Sequence, residues 1–235
     1  MSPIKPGTRI LIVVTARKGS SFKGKNYYPT AGKPMIDYTI EAAKSAECTF
    51  KSTLDMVQIE TLMSTDCHHC EAAAESHEMR IDKRQQELSG NHATLNQVMT
   101  YIAKKYTEYT HYVCLAPTSP LRTGKHVKDS IEQYLDQEAD SLLSVTEERK
   151  GIWNKPEGGL YGRPLYLPLK NRQDIEPVYV ANGAIFITSR QILLSREQRT
   201  GGRVSLFVMS TEDSVDVHTA QDVELAEFYL QRRKG

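Results

Sequence analysis

The sequence predicts an α/β fold built on a mostly parallel sheet. Three observations carry this. Apolar, β-branched runs of strand length alternate with amphipathic helical segments. Turn-forming stretches, two of them cationic, sit at the carboxyl ends of those strands. A final helix closes the chain after the pattern is interrupted once.

The elements follow in order. "RILIVVTA" (9–16) is a continuous apolar run, as expected of a strand buried on both faces. "PMIDYTIEAAKSA" (34–46) begins with Pro at a first-turn position and puts Ile36, Ile40 and Ala43 on one face. "MVQIETLMSTD" (56–66) reads as a strand and "CHHCEAAAESHEM" (67–79) as a short helix. "ATLNQVMTYIAKKYTE" (93–108) is amphipathic through Leu95, Val98, Met99, Ile102 and Ala103. "HYVCLA" (111–116) is a strand, "KHVKDSIEQYLDQ" (125–137) a helix and "SLLSVTE" (141–147) a strand. From about 148 to 178 the chain is rich in Gly, Pro and aromatic residues and loses helical period, which predicts a hairpin excursion out of the sheet. "VYVANGAIFIT", "RVSLFVMS" and the helix "TAQDVELAEFYLQRR" then restore the pattern. In such sheets ligands sit outside the carboxyl ends of the strands. That places "TARKGSS", "STDC" and "APTSPLR" at the expected binding edge.

At 235 residues the chain is expected to form one domain, 1–235, with the excursion inserted in it. Formal net charge is +1, which gives no global pull toward nucleic acid or membrane. No apolar run approaches the roughly 20 residues of a membrane span, and "MSPIKPGTR" has no apolar leader segment. Four cysteines without a leader predict free thiols and a cytoplasmic location.

"GSSFKGKN" (19–26) is one residue short of the G-x-x-x-x-G-K-[ST] phosphate loop. Asn26 replaces the metal-binding hydroxyl, and Pro29, Gly32 and Pro34 prevent the loop from running straight into a helix. The alternative is a solvated Gly/Ser loop. Against it, Arg17, Lys18, Lys23 and Lys25 lie within nine residues at the end of a buried strand, a density suited to a triphosphate.

"ARKGSSFKGKN" resembles the A-R-x-G-S-K-G-x-x-x-K-N loop of the CMP-sialic acid synthetases, the acylneuraminate cytidylyltransferases. "PTSPLRT" (117–123), "NRQDIEPVYVANGAIFI" (171–187) and "SVDVHTAQDVELAE" (214–227) match the same family in the same order, as does the weaker "STD" (64–66). The resemblance runs from about residue 9 to residue 230. It implies a Rossmann-like, glycosyltransferase-A-like nucleotidyltransferase sheet with a small β-hairpin dimerisation arm at 148–178. It also implies transfer of CMP from CTP to a sugar acid, with pyrophosphate released and Mg²⁺ (Mn²⁺ as the alternative) as cofactor. By position, Arg17 and Lys25 are phosphate ligands, with Ala16, Ser20 and Asn26 beside them. Arg84 and Thr94 fall near the cytosine, and Ala116, Arg172, Asn182 and Phe186 in the sugar-acid region. Asp216 matches the first carboxylate of a metal-binding D-x-D. A homodimer follows, or a dimer of such dimers.

The departures from the family pattern are specific. The loop is one residue short, and Ser21 stands where a Lys is usual, with Lys23 nearby. Ala116 replaces a Gln and Phe186 a Tyr, which points to a changed acceptor: another nonulosonic acid, or an octulosonic or phosphonate acid. His218 replaces the second carboxylate. Asp216 and the phosphates then hold Mg²⁺ alone, or His218 contacts phosphate or acts as base, or the metal is softer. A non-catalytic CTP-binding paralogue is the alternative from another class.

Other clusters read as structural. In "CHHC" (67–70) the four side chains are too close in sequence to converge on one tetrahedral ion, so Cys67 and Cys70 are expected to pack in the core. Asp222, Glu224 and Glu227 read as a solvated helix face, and Asp213 as a second shell to Asp216. Arg122 either binds an anion or caps the helix at 125–137. Trp153, Tyr161 and Tyr166 are expected to pack arm against partner.

Overall fold

The computed structural model describes residues 7–19, 24–53, 57–90, 92–159, 161–164 and 171–233. Along the chain lie β1 (Arg9–Ala16), β2 (Pro29–Thr30), β3 (Lys33–Pro34), α1 (Met35–Thr53), β4 (Gln58–Thr65), α2 (His68–Ser76) and β5 (Arg80–Lys83). Then come α3 (Leu95–Lys105), β6 (His111–Leu115), α4 (Gly124–Asp136), β7 (Ser141–Glu148), β8 (Trp153–Asn154) and β9 (Arg163–Pro164). β10 (Val178–Ser189), α5 (Arg190–Arg196), β11 (Val204–Val208) and α6 (Ala220–Arg232) complete it.

Seven strands form one sheet in the order β11-β7-β10-β6-β1-β4-β5. Only β10 runs against its neighbours β6 and β7; the other pairings are parallel. The mostly parallel α/β sheet expected from the sequence is therefore present. β8 and β9 pair antiparallel as a small hairpin between β7 and β10, and β2 pairs β3.

Alternation along β1 explains the two layers. Ile10, Ile12 and Val14 point to one face, where α1, α2 and α4 bring Ile36, Ile40, Phe50, Cys70, Val127 and Ile131. Leu11 and Val13 point to the other, where α3 and α5 bring Met99, Ile102, Ala103 and Leu193. α6 packs separately through Val223, Ala226 and Leu230 onto Met35, Leu121 and Val217.

Differences from the sequence reading have local causes. α1 runs seven residues past the expected end at 46, because Phe50 continues the buried stripe. β5 was not anticipated: it is four residues of mostly polar sequence at the sheet edge, and parallel pairing to β4 creates it. α5 was hidden behind β10, and the Ser189 hydroxyl, accepting from the Ile192 amide at 3.3 Å, starts it.

The chain passes outward from β1 to β4 and β5, then returns to β6 on the other side of β1. The crevice at this reversal, outside the carboxyl ends of β1 and β6, is where such a sheet binds ligands.

Candidate active site

A cavity of about 490 Å³ opens at that reversal, and its walls include Arg17, Lys25, Asn26, Arg84, Ala116, Phe186, Asp216 and His218. A second lobe of about 460 Å³ adjoins it, lined by Asn182, Glu148, Thr146 and Ser214 among others. The two share Gly183, Phe186, Asp216 and His218. The site is thus bipartite, with a seam at Asp216.

The cationic lobe is built on the loop after β1. Asn26 Nδ2 donates to the Arg17 carbonyl at 2.8 Å, which folds the loop back on the strand end. The Lys18 amide donates to Asp66 Oδ1 at 2.7 Å, pinning the loop to the end of β4. Gly24 turns the chain at φ 80°, and a Cβ there would lie 3.0 Å from the Tyr27 ring. Tyr27 in turn packs on His69, with centroids 4.3 Å apart. Lys25 and Asn26 are buried. Burial pushes the Lys25 pKa below the ordinary lysine value; the Asp216 carboxylate opposes this and Arg17 adds to it. Ser20, Ser21 and Lys23 lie outside the described residues. Ala16, the last residue of β1, is buried behind the loop.

Arg84 closes the far side. Its amide donates to the Thr65 carbonyl and its Nη2 to the Ser64 carbonyl, both at 2.8 Å. Burial lowers its pKa, with Asp66 opposing. Thr94 does not line the cavity. Its hydroxyl caps α3, accepting from the Gln97 amide at 3.2 Å in a capping box, while Ala93 and Leu95 face the lobe.

Asn182 lines the second lobe, but its amide is committed to the scaffold. Oδ1 accepts from the Ser144 hydroxyl at 2.5 Å and from the Ala184 amide at 3.2 Å, and Nδ2 donates to Ser214 Oγ at 2.8 Å. It fills the irregularity in β10 between Ala181 and Phe186, where Gly183 adopts φ 74° with Asp216 Oδ2 3.4 Å from its notional Cβ. Arg172 falls on a 3₁₀ turn, Arg172–Asp174, and its side chain lies outside the described residues.

At the seam, His218 Nε2 and Asp216 Oδ2 are 2.8 Å apart. Asp216 Oδ1 is buried with no hydrogen-bond partner among the described residues. A carboxylate oxygen without a partner is a ligand type that suits a hard divalent cation such as Mg²⁺; among the described residues no group of three or more His, Cys, Asp or Glu side chains gathers around it. The His218 and Thr219 amides donate to Asp222 Oδ2 at 2.9 and 2.7 Å, which fixes the turn carrying the dyad. These bonds, the His218 amide first, hold the Asp222 pKa low.

Three expectations need correction. Asp222 is the capping carboxylate of α6, and Glu227 Oε1 accepts from the Ala31 amide at 2.7 Å; neither is simply solvated. Asp213 is not a second shell to Asp216: it accepts from Arg233, with His126 Nε2 3.5 Å away. Arg122 neither binds an exposed anion nor caps α4. It is fully buried and donates to the Ala116 carbonyl (3.0 Å), the Ala184 carbonyl (2.8 Å) and Thr39 Oγ1 (2.7 Å), tying the end of β6 to the irregularity within β10. Cys67 and Cys70 do pack in the core, where burial pushes the Cys70 thiol pKa up.

The sequence reading also missed Arg199. It lines the cationic lobe, with its guanidinium 4.1 Å from the centroid of the Phe186 ring. It lies in a polar loop with no motif around it, so no local signal marks it.

Comparison with known proteins agrees with this geometry. The pattern of the Cytidylyltransferase family matches residues 11–190. An N-acylneuraminate cytidylyltransferase of Streptococcus agalactiae serotype III is 30% identical over 217 residues, covering 90% of this chain and 51% of its own. The chain therefore spans about half the length of that relative. A CMP-N,N'-diacetyllegionaminic acid synthase of Legionella pneumophila is 27% identical over 234 residues, covering 95% of this chain and 97% of its own. A CMP:2-keto-3-deoxy-manno-octonic acid synthetase solved with CTP superposes with a TM-score of 0.70 at 17% identity, covering 96% of this chain and all of its own, and so shares the fold. With its Rossmann-like sheet, bipartite crevice and a family match over most of its length, the chain belongs to the cytidylyltransferase family.

Proposed function

We propose that the protein transfers CMP from CTP to a nonulosonic, sialic-like sugar acid and releases pyrophosphate. The observation that carries this is the bipartite cavity: a cationic lobe and a second lobe share one wall at Asp216 and His218. The relatives named for sialic and legionaminic acid products support the acceptor class.

In this reading the triphosphate lies against Arg17 and Lys25, and the cytosine toward Arg84. Lys25 is already desolvated, so its charge is poorly screened and acts strongly on a phosphate oxygen. The acid fills the second lobe and lies against Phe186, the wall that the cationic lobe shares, so it also borders the Arg199 guanidinium that rests on that ring. Its hydroxyl oxygen attacks the α-phosphorus as the bond to the β-phosphate oxygen breaks, so pyrophosphate leaves and no covalent enzyme intermediate is needed. Asp216 Oδ2 orients the His218 ring, which receives the hydroxyl proton. Asp216 Oδ1 would hold Mg²⁺, or Mn²⁺ in its place, and the bound ion would neutralise charge developing on the phosphates. The hairpin of β8 and β9, with Trp153 55% and Tyr161 82% exposed, is the surface by which a homodimer would form. The free cysteines fit a cytoplasmic enzyme. Among the described residues no helix is long and apolar enough to cross a membrane.

The test is pyrophosphate release with Mg²⁺ and sialic, legionaminic, pseudaminic and octulosonic acids, with UTP, ATP and GTP as controls. Turnover with CTP and a nine-carbon acid is expected. Turnover with the octulosonic acid alone would overturn the acceptor class, and CTP binding without release would favour a non-catalytic paralogue.

A further inference from the structure

One cation of the cavity stands apart from the phosphate loop. Sheet order gives the crevice a direction: Arg84 lies at the β4–β5 side, Arg17 and Lys25 at β1, Ala116 at β6, and Phe186 with Arg199 at β10. β10 is two strands from β1, about 10 Å at ordinary strand spacing. Arg199 therefore stands across the crevice from the phosphate loop, beside the ring that borders both lobes.

Its side chain is held in place. Nε donates to Asn96 Oδ1 at 2.9 Å, and the Arg199 amide donates to the same oxygen at 3.3 Å. The Thr188 hydroxyl donates to the Arg199 carbonyl. Asn96 is anchored in turn, its Nδ2 donating to Gln198 Oε1 at 2.5 Å. The guanidinium plane rests on Phe186. Among the described residues no carboxylate pairs with it, and no acceptor lies within hydrogen-bond distance of Nη1 or Nη2. A guanidinium whose one edge is tethered and whose other edge faces a ligand cavity is pre-organised for a planar acceptor with two oxygen lone pairs.

We infer that Arg199 is a specificity-determining residue that donates Nη–H groups to a planar oxygen acceptor on the sugar acid, either its carboxylate or an acylamido carbonyl. This rests on the CMP-transfer reading above. Phe186 then serves as the platform on which the guanidinium rests.

Steady-state kinetics of wild type, Arg199→Met and Arg199→Lys test this, with CTP and acid varied separately. KM for the acid should rise about 10- to 100-fold in Arg199→Met, the loss expected for a charge-assisted hydrogen bond, while KM for CTP stays within about twofold. Arg199→Lys should recover only part, because an ammonium cannot reproduce the fork. Asn96→Ala should raise the same KM by a smaller factor. Two acceptor analogues separate the sources: the carboxamide loses the Arg199 dependence if the carboxylate is read, and the de-acylated acid loses it if the carbonyl is read. A rise in KM for CTP instead, or no change in either KM with thermal stability intact, would overturn the inference and leave the function standing. A wild type that turns over no acid would overturn both.

Discussion

At the scale of single residues, Lys25 shows how the site trades stability for binding. The residue is 7% exposed, and burial depresses its pKa. Between that lowered value and the ordinary 10.5, the unfolded chain binds more protons than the folded chain, so this contribution to stability rises with pH through that window. The penalty is fully present below the lowered pKa. Lys25→Met removes it. The variant is expected to melt at the same or a higher temperature than wild type at pH 7, yet to bind CTP at least about tenfold more weakly. Thermal melts with and without CTP check both halves; unchanged CTP stabilisation would remove Lys25 from the phosphate site. Arg122 makes the opposite case. It is buried like the apolar residues of the core, and its value lies in the two carbonyls, one after β6 and one within β10, and the threonine it holds. Burial pushes its pKa down to about 9, which leaves the guanidinium charged at neutral pH. Nothing in "PTSPLRT" distinguishes such a tie from an anion ligand, because both demand the same side chain.

At the scale of elements, short polar devices set the site. The 216–218 turn is fixed by the start of α6, where Thr219 and Asp222 exchange capping hydrogen bonds and Asp222 also receives the His218 amide. Thr219→Ala should cost about 1 kcal/mol of stability, measured by denaturant unfolding, and should lower turnover more than stability because the turn carrying Asp216 loosens. Normal turnover in the folded variant would show that the turn is held by other contacts. The regular elements were legible in the sequence because burial imposes period on them: Ile36, Ile40 and Ala43 on α1, and Val98, Met99 and Ile102 on α3, were assigned to the faces they occupy. β5 and α5 were not legible. Their form comes from pairing with β4 and from packing behind β10, and neither contact leaves a local signature. Thr94 was read from its place near the base, whereas its chemistry as a capping residue governs where its hydroxyl points.

At the scale of the molecule, the sheet reversal between β1 and β6 gathers distant segments into one crevice. Arg17, Lys25, Arg84, Ala116, Phe186, Asp216 and His218 were legible as a set only because motifs occur in family order; their convergence is a property of topology. Arg199 was illegible for the complementary reason, since topology delivers it and no motif announces it. The central claim is that two substrates meet at Asp216, one from each lobe. Pyrophosphate release by wild type and by Asp216→Ala, with CTP in the presence and absence of the acceptor acid, tests this most directly. Release by wild type should require the acid and fall by at least about a hundredfold in Asp216→Ala, while CTP still raises the melting temperature of the variant. Release that proceeds without any acid, or that survives loss of the Asp216 carboxylate, would contradict the account.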